Sequence, residues 1–118
     1  MQEVMNKLYS IFEEMGYPYY RQGTLPDGPY QDNSFFTFWN IPNDKLAYYD
    51  NKSRASAINI QVYFYSNDFK IIYTEFDRLI DLLEQNDFIS QDDGRDVPSD
   101  YKTHLGRTCS IVCRKVKN

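Results

Sequence analysis

Histidine occurs once and cysteine twice in these 118 residues. That excludes a disulfide scaffold and any ordinary zinc site, which needs four such ligands. A general nucleic-acid binder is disfavoured too, because 13 basic against 17 acidic residues leave a net charge of −4 where such a protein needs a basic face. No run approaches the ~20 apolar residues of a membrane span, and mean hydropathy is −0.66. The first fifteen residues carry Glu13 and Glu14 and no cleavage-type apolar core, so they do not read as a signal peptide. Five scattered glycines, Gly16, Gly23, Gly28, Gly94 and Gly106, form no phosphate-cradling loop. What is abundant is aromatic: 17% of the chain, with eleven tyrosines and eight phenylalanines.

The length fits one domain spanning 1–118, with no repeat or linker. Val4, Met5, Leu8, Phe12 and Met15 recur at helical spacing and Gly16 follows, predicting an amphipathic helix over 2–15 with a glycine stop. Tyr17-Pro18-Tyr19-Tyr20 can open a strand, which Pro18 restricts to a sheet edge. Residues Phe35 to Ile41 are strand formers, broken by Pro42-Asn43-Asp44. The clearest strand is Ser56 to Ser66. Ile58, Ile60, Val62 and Phe64 alternate with Asn59, Gln61, Tyr63 and Tyr65, so one face is buried and the other is polar-aromatic. Ile72, Phe76, Leu79, Ile80 and Leu83 predict a second helix over about 69–86, with Asn67-Asp68 as its cap. Phe88-Ile89-Ser90 begins a strand, Asp93-Gly94 is a turn, and Thr103 to Lys115 supplies the last strand. The expected fold is α+β: a mainly antiparallel sheet of four to five strands with two helices on one face, in the order helix, strands, helix, strands.

Catalysis finds no support. His104 would have to serve any nucleophilic dyad, yet it shares a strand with Thr108 and Cys109, its nearest candidate partners. Neighbours in one strand do not converge on a common contact, so His104 reads as a lone exposed histidine. Cys109 and Cys113 share a strand face about 13 Å apart at ~3.3 Å per residue, too far to bridge, and read as buried thiols. The acidic run Asp92-Asp93-Gly94-Arg95-Asp96 fails as a calcium loop, because Asp100 stands where a bidentate glutamate is needed and Pro98 interrupts. No cofactor or metal is expected, and no enzyme.

Charge is segregated along the chain. Residues 66–100 hold three basic against ten acidic residues, net −7, whereas residues 101–118 hold five basic and no acidic ones, net +5. Two complementary faces of this kind suit contacts between copies of one molecule. The acidic contributors are Asp77, Asp81 and Glu84 on the second helix; the basic ones are Arg107, Arg114 and Lys115. Tyr63 and Tyr65 occupy the strand face away from the helices, and Tyr48 and Tyr49 can extend it. Tyrosine combines contact area with a polar tip and is enriched at protein interfaces. A stacking platform for single-stranded nucleic acid would need interleaved cations, and Ser56 to Ser66 has none.

The layout, the stretch Ile58-Asn59-Ile60-Gln61-Val62-Tyr63-Phe64-Tyr65-Ser66 leading to Phe76-Asp77-Arg78-Leu79-Ile80, and Tyr101 before an Arg107-Thr108 strand resemble the tail-terminator (tail-completion, head–tail joining) proteins of long-tailed phages and prophages. The resemblance implies a ring, usually a hexamer, that caps the tail tube. It also implies docking to the major tail protein and the head connector, and passage of DNA without specific binding. Its place would be the tail or neck of the virion, after assembly in the host cytoplasm. The competing expectation is a small acidic cytosolic inhibitor or immunity protein that blocks a basic enzyme.

Overall fold

A computed structural model describes residues 2–26, 28–41 and 55–116, without the side chains of 55–57 and 114–116. Helix α1 (Gln2–Met15) is followed by β1 (Tyr19–Arg21), β2 (Ser34–Ile41) and β3 (Ala55–Ser66). Then come α2 (Ile72–Gln85), β4 (Phe88–Ser90), β5 (Arg95–Pro98) and β6 (Leu105–Val116). The fold is α+β, and helix, strands, helix, strands is its order. The sheet departs from expectation in having six strands and in being mixed: β1 runs parallel to β2, and the other pairs are antiparallel. The path across it is β1-β2-β3-β6-β4, with β5 beside β4 on the same edge of β6.

Alternation builds the core. In β3, Ile58, Ile60, Val62 and Phe64 turn to the helices; in register with them stand Phe36 and Phe38 of β2 and Cys109, Ile111 and Cys113 of β6. The helices bury Val4, Leu8, Ile11, Phe12 and Met15 of α1 and Ile72, Phe76, Leu79 and Leu83 of α2. Each such large side chain contributes roughly 1.5–3 kcal/mol on burial. Phe12 stacks on Phe36 with centroids 4.5 Å apart, joining α1 to β2. Among the described residues no helix is long and apolar enough to cross a membrane.

Three local expectations are corrected. Helix α2 starts at Ile72, with Ile71 at the cap position and no side-chain cap. Asp68 is used one turn earlier, its carboxylate accepting the Lys70 N–H at 3.0 Å, so 69–71 form a turn. The stretch after Asp93-Gly94 is a strand as well as a turn. Asp92 accepts the Gly94 N–H at 2.8 Å, Gly94 takes φ +94°, and Arg95–Pro98 then pairs with β6; Pro98 is tolerated because β5 is an edge. His104, expected exposed, is buried at 7% exposure.

Candidate functional site

The sheet face turned away from the helices carries the chain's candidate surface, and its two ends differ. At one end the loop preceding β2 folds onto the sheet. Tyr30 stands edge-on to Phe35, Tyr101 and His104, with centroids 4.9, 4.9 and 5.0 Å away. Phe35 stacks on Tyr65 at 5.3 Å, and Tyr65 on Tyr63 at 6.1 Å. His104 holds this end together: its Nε2 meets the Asp32 carbonyl oxygen at 2.8 Å, and its Nδ1 meets the Thr103 hydroxyl at 2.8 Å. Both ring nitrogens are thereby committed, which leaves no lone pair for general-base work on a substrate. The Asp32 carboxylate accepts the Tyr20 hydroxyl at 2.6 Å. Beside them a cavity of about 20 Å³, bordered by Tyr20, Tyr30, Asp32 and Phe35, has room for about one water.

The middle of the face is polar and internally bonded. Gln61 donates to the Thr108 hydroxyl at 2.6 Å and accepts from Ser110 at 2.7 Å, while Thr108 donates to the Val62 carbonyl at 2.8 Å. Two polar groups beside this network, the Thr37 hydroxyl and Asn59 Oδ1, are buried without a hydrogen-bond partner among the described residues. Toward the far end the face turns apolar, and among the described residues Trp39 is 40% exposed and Ile89 64%. Ile41 and Val112 share that end, both opposite Asn59.

Among the expected surface residues, Tyr63 and Tyr65 do lie on this face, together. Tyr65 is half-buried in the aromatic cluster, and burial pushes its hydroxyl well above the usual tyrosine range. Asp77, Asp81 and Glu84 are exposed on α2, on the opposite side of the sheet. The tyrosines and the acidic stripe are therefore two surfaces. Tyr48 and Tyr49 lie outside the described residues. Arg114 and Lys115 belong to β6, opposite Ala57 and Ser56, and their side chains are outside the description.

Arg107 does not serve as a free basic contact. It opposes Phe64 on the helix side of the sheet, stacks over Tyr73 and Phe76 at 5.0 and 5.5 Å, and binds Asp96 at 2.8 Å. Its Nη2 also reaches the Asp93 and Gly94 carbonyls. The Tyr73 hydroxyl and then Arg107 hold the Asp96 carboxyl below its ordinary range. Arg107 thus pins β5 and its turn to α2.

Sequence reasoning missed Trp39, Ile89, Tyr30 and Phe35 as members of the outer face. Alternation through Phe35 to Ile41 carried the signal, since Phe35, Thr37 and Trp39 must share the face opposite Phe36 and Phe38. Tyr30 gave no periodic signal, because a loop delivers it. Among the described residues no group of three or more His, Cys, Asp or Glu converges as a metal site. No family model matches the chain, and no curated protein matches it.

Proposed function

We propose that this chain is a self-associating structural protein of a phage or prophage tail, forming a ring that caps the tail tube and joins it to the head. One observation carries the reading. Asp77, Asp81 and Glu84 stand together and exposed on α2, and none is in an ion pair among the described residues, where the pairs are Lys7–Asp87, Arg78–Glu75 and Arg107–Asp96. A one-signed stripe fits a head-to-tail interface, in which one face of each subunit meets a different face of the next. With Arg107 spent internally, the basic counterpart falls to Lys102, exposed in the turn before β6, and to Arg114 and Lys115. The rims of the ring would dock the major tail protein and the head connector. A net acidic ring lets DNA pass, because phosphate contacts require cationic side chains.

Electron microscopy of concentrated protein, with its mass measured by light scattering, tests the proposal. Annular particles of several subunits are expected. A single-copy mass at every concentration refutes the ring and favours the acidic inhibitor, for which the same stripe would face a basic enzyme.

A further inference from the structure

The loop joining β1 to β2 closes over the cavity of about 20 Å³ beside Tyr20. Exposed Pro26 and Pro29 stand at its mouth and the buried Phe35 ring at its base, with Tyr20, Tyr30 and Asp32, each part-buried, between them. The rings meet at steep angles: Tyr20 is tilted 77° to Phe35 with centroids 6.0 Å apart, and Tyr30 71° at 4.9 Å. Asp32 is fixed at both ends. Its carbonyl oxygen meets His104 Nε2 at 2.8 Å, and its carboxylate Oδ2 accepts the Tyr20 hydroxyl at 2.6 Å. A carboxylate can accept about four hydrogen bonds, and Tyr20 supplies one. Among the described residues the ion pairs all lie elsewhere.

We infer that this cavity takes the ammonium end of an alkylamine. Charge, size and lining each select that class. A carboxylate beside aromatic rings attracts cations and repels anions, because ring faces carry the negative part of the quadrupole. Room for about one water matches a primary ammonium and shuts out a trimethylated one. A hard metal ion needs a shell of six or more oxygens, and ring and aliphatic carbons do not furnish it. A neutral hydroxyl of the same size gains one ordinary hydrogen bond where an ammonium gains charge-assisted ones. The methylene stem then leaves past Pro26 and Pro29, an apolar surface of the kind long amine side chains lie along. Binding needs little reordering, since Tyr101 and His104 already hold Tyr30 at 4.9 and 5.0 Å. The net charge of −4 draws cations toward the chain. The amine can belong to a lysine of another protein or to a small free amine, which present the same group. The site lies apart from the acidic stripe on α2 and is independent of the proposed ring.

Saturation-transfer NMR on the full chain, at constant ionic strength, compares n-butylammonium, 1-butanol, butyltrimethylammonium and N-acetyl-lysine methylamide. Butylammonium should bind saturably with a Kd on the order of 1 mM, the scale for so small a ligand. Butanol and butyltrimethylammonium should bind at least about tenfold more weakly. Asp32→Asn keeps an acceptor for Tyr20 and the carbonyl for His104, and should weaken butylammonium about tenfold or more. Leu25→Trp, at a lining residue outside the core, should block the cavity with the carboxylate intact. Circular dichroism and Tm check that both variants fold; if one does not, the ligand series on the wild type still decides. Lysine methylamide binding at least as tightly as butylammonium assigns the amine to a protein lysine, and butylammonium binding alone assigns it to a free amine. Three results overturn the inference: no saturable binding of either amine, butanol or the trimethylated ion binding as tightly as butylammonium, or unchanged affinity in a folded Asp32→Asn or Leu25→Trp variant.

Discussion

Replacing Gly106 with alanine should destabilise this protein, against the usual benefit of removing a strand glycine. A Cβ on Gly106 would fall 2.7 and 2.9 Å from two carbons of the Tyr65 ring and 3.0 Å from a Val97 methyl. The ring cannot easily retreat, because Phe35, Tyr30 and Tyr63 hold it at centroid distances of 5.3, 5.9 and 6.1 Å. Overpacking of this kind costs about 1–3 kcal/mol. Against it stands about 0.4–1 kcal/mol from reduced freedom of the unfolded chain. The steric cost wins, leaving a net loss of about 1–2 kcal/mol. For a domain of this size that lowers Tm by roughly 4–8 °C. Thermal and urea unfolding of four proteins measures it: wild type, Gly106→Ala, Tyr65→Ala and the double variant. With the ring gone the alanine should become neutral or stabilising, giving a coupling of about 1–2 kcal/mol. An unchanged or raised Tm for Gly106→Ala in the wild-type background would refute the packing described for Tyr65.

Three further outcomes are expected. Reversing charge at Asp77 and Asp81 should weaken ring assembly, with the difference from wild type shrinking as salt rises; identical scattering profiles across salt would remove the charge basis of the ring. Burial and then the Glu75 carboxylate push the Tyr17 hydroxyl up from 10.0 to about 12. Its stabilising effect is therefore complete below pH 10 and lost as pH rises toward 12, so Tm should fall less steeply over that window in Tyr17→Phe than in wild type. Burial raises the Cys109 thiol to about 12 and raises that of Cys113 as well, so a thiolate-selective reagent at pH 8 should label neither in the folded protein and both in denaturant; rapid labelling of the native protein would contradict their burial.

The parts of the fold legible in sequence are those whose periodicity is local. The Ile58–Phe64 alternation and the Val4–Met15 helical spacing each encode a buried face within one element, so strand, helix and core membership followed directly. What stayed hidden depends on partners distant in the chain. The edge strand opening near Tyr19 could be expected from Pro18, but its parallel direction could not, because that is set by Phe36–Phe38 beside it. Arg95–Pro98, charged and proline-ended, carries the composition of a turn and is a strand because β6 offers its edge. His104 is buried because a carbonyl 72 residues away meets its ring; the same long reach seats Tyr30. At the candidate surface the tyrosine face and the acidic stripe could be anticipated. The internal commitment of Arg107 could not, since it requires Asp96, Tyr73 and Phe76 to converge in space.

The sheet order has a consequence for how the protein is made. β6 lies at the centre of the sheet, between β3 on one side and β4 with β5 on the other, yet it is the last of these strands to be synthesised. Until it arrives, β3 offers a twelve-residue strand with one edge unpaired, and β4 and β5 have nothing to join. Nascent chains are therefore most prone to sticking to one another during this interval. β2, made earlier, pairs with the opposite edge of β3 and leaves this one to β6 alone.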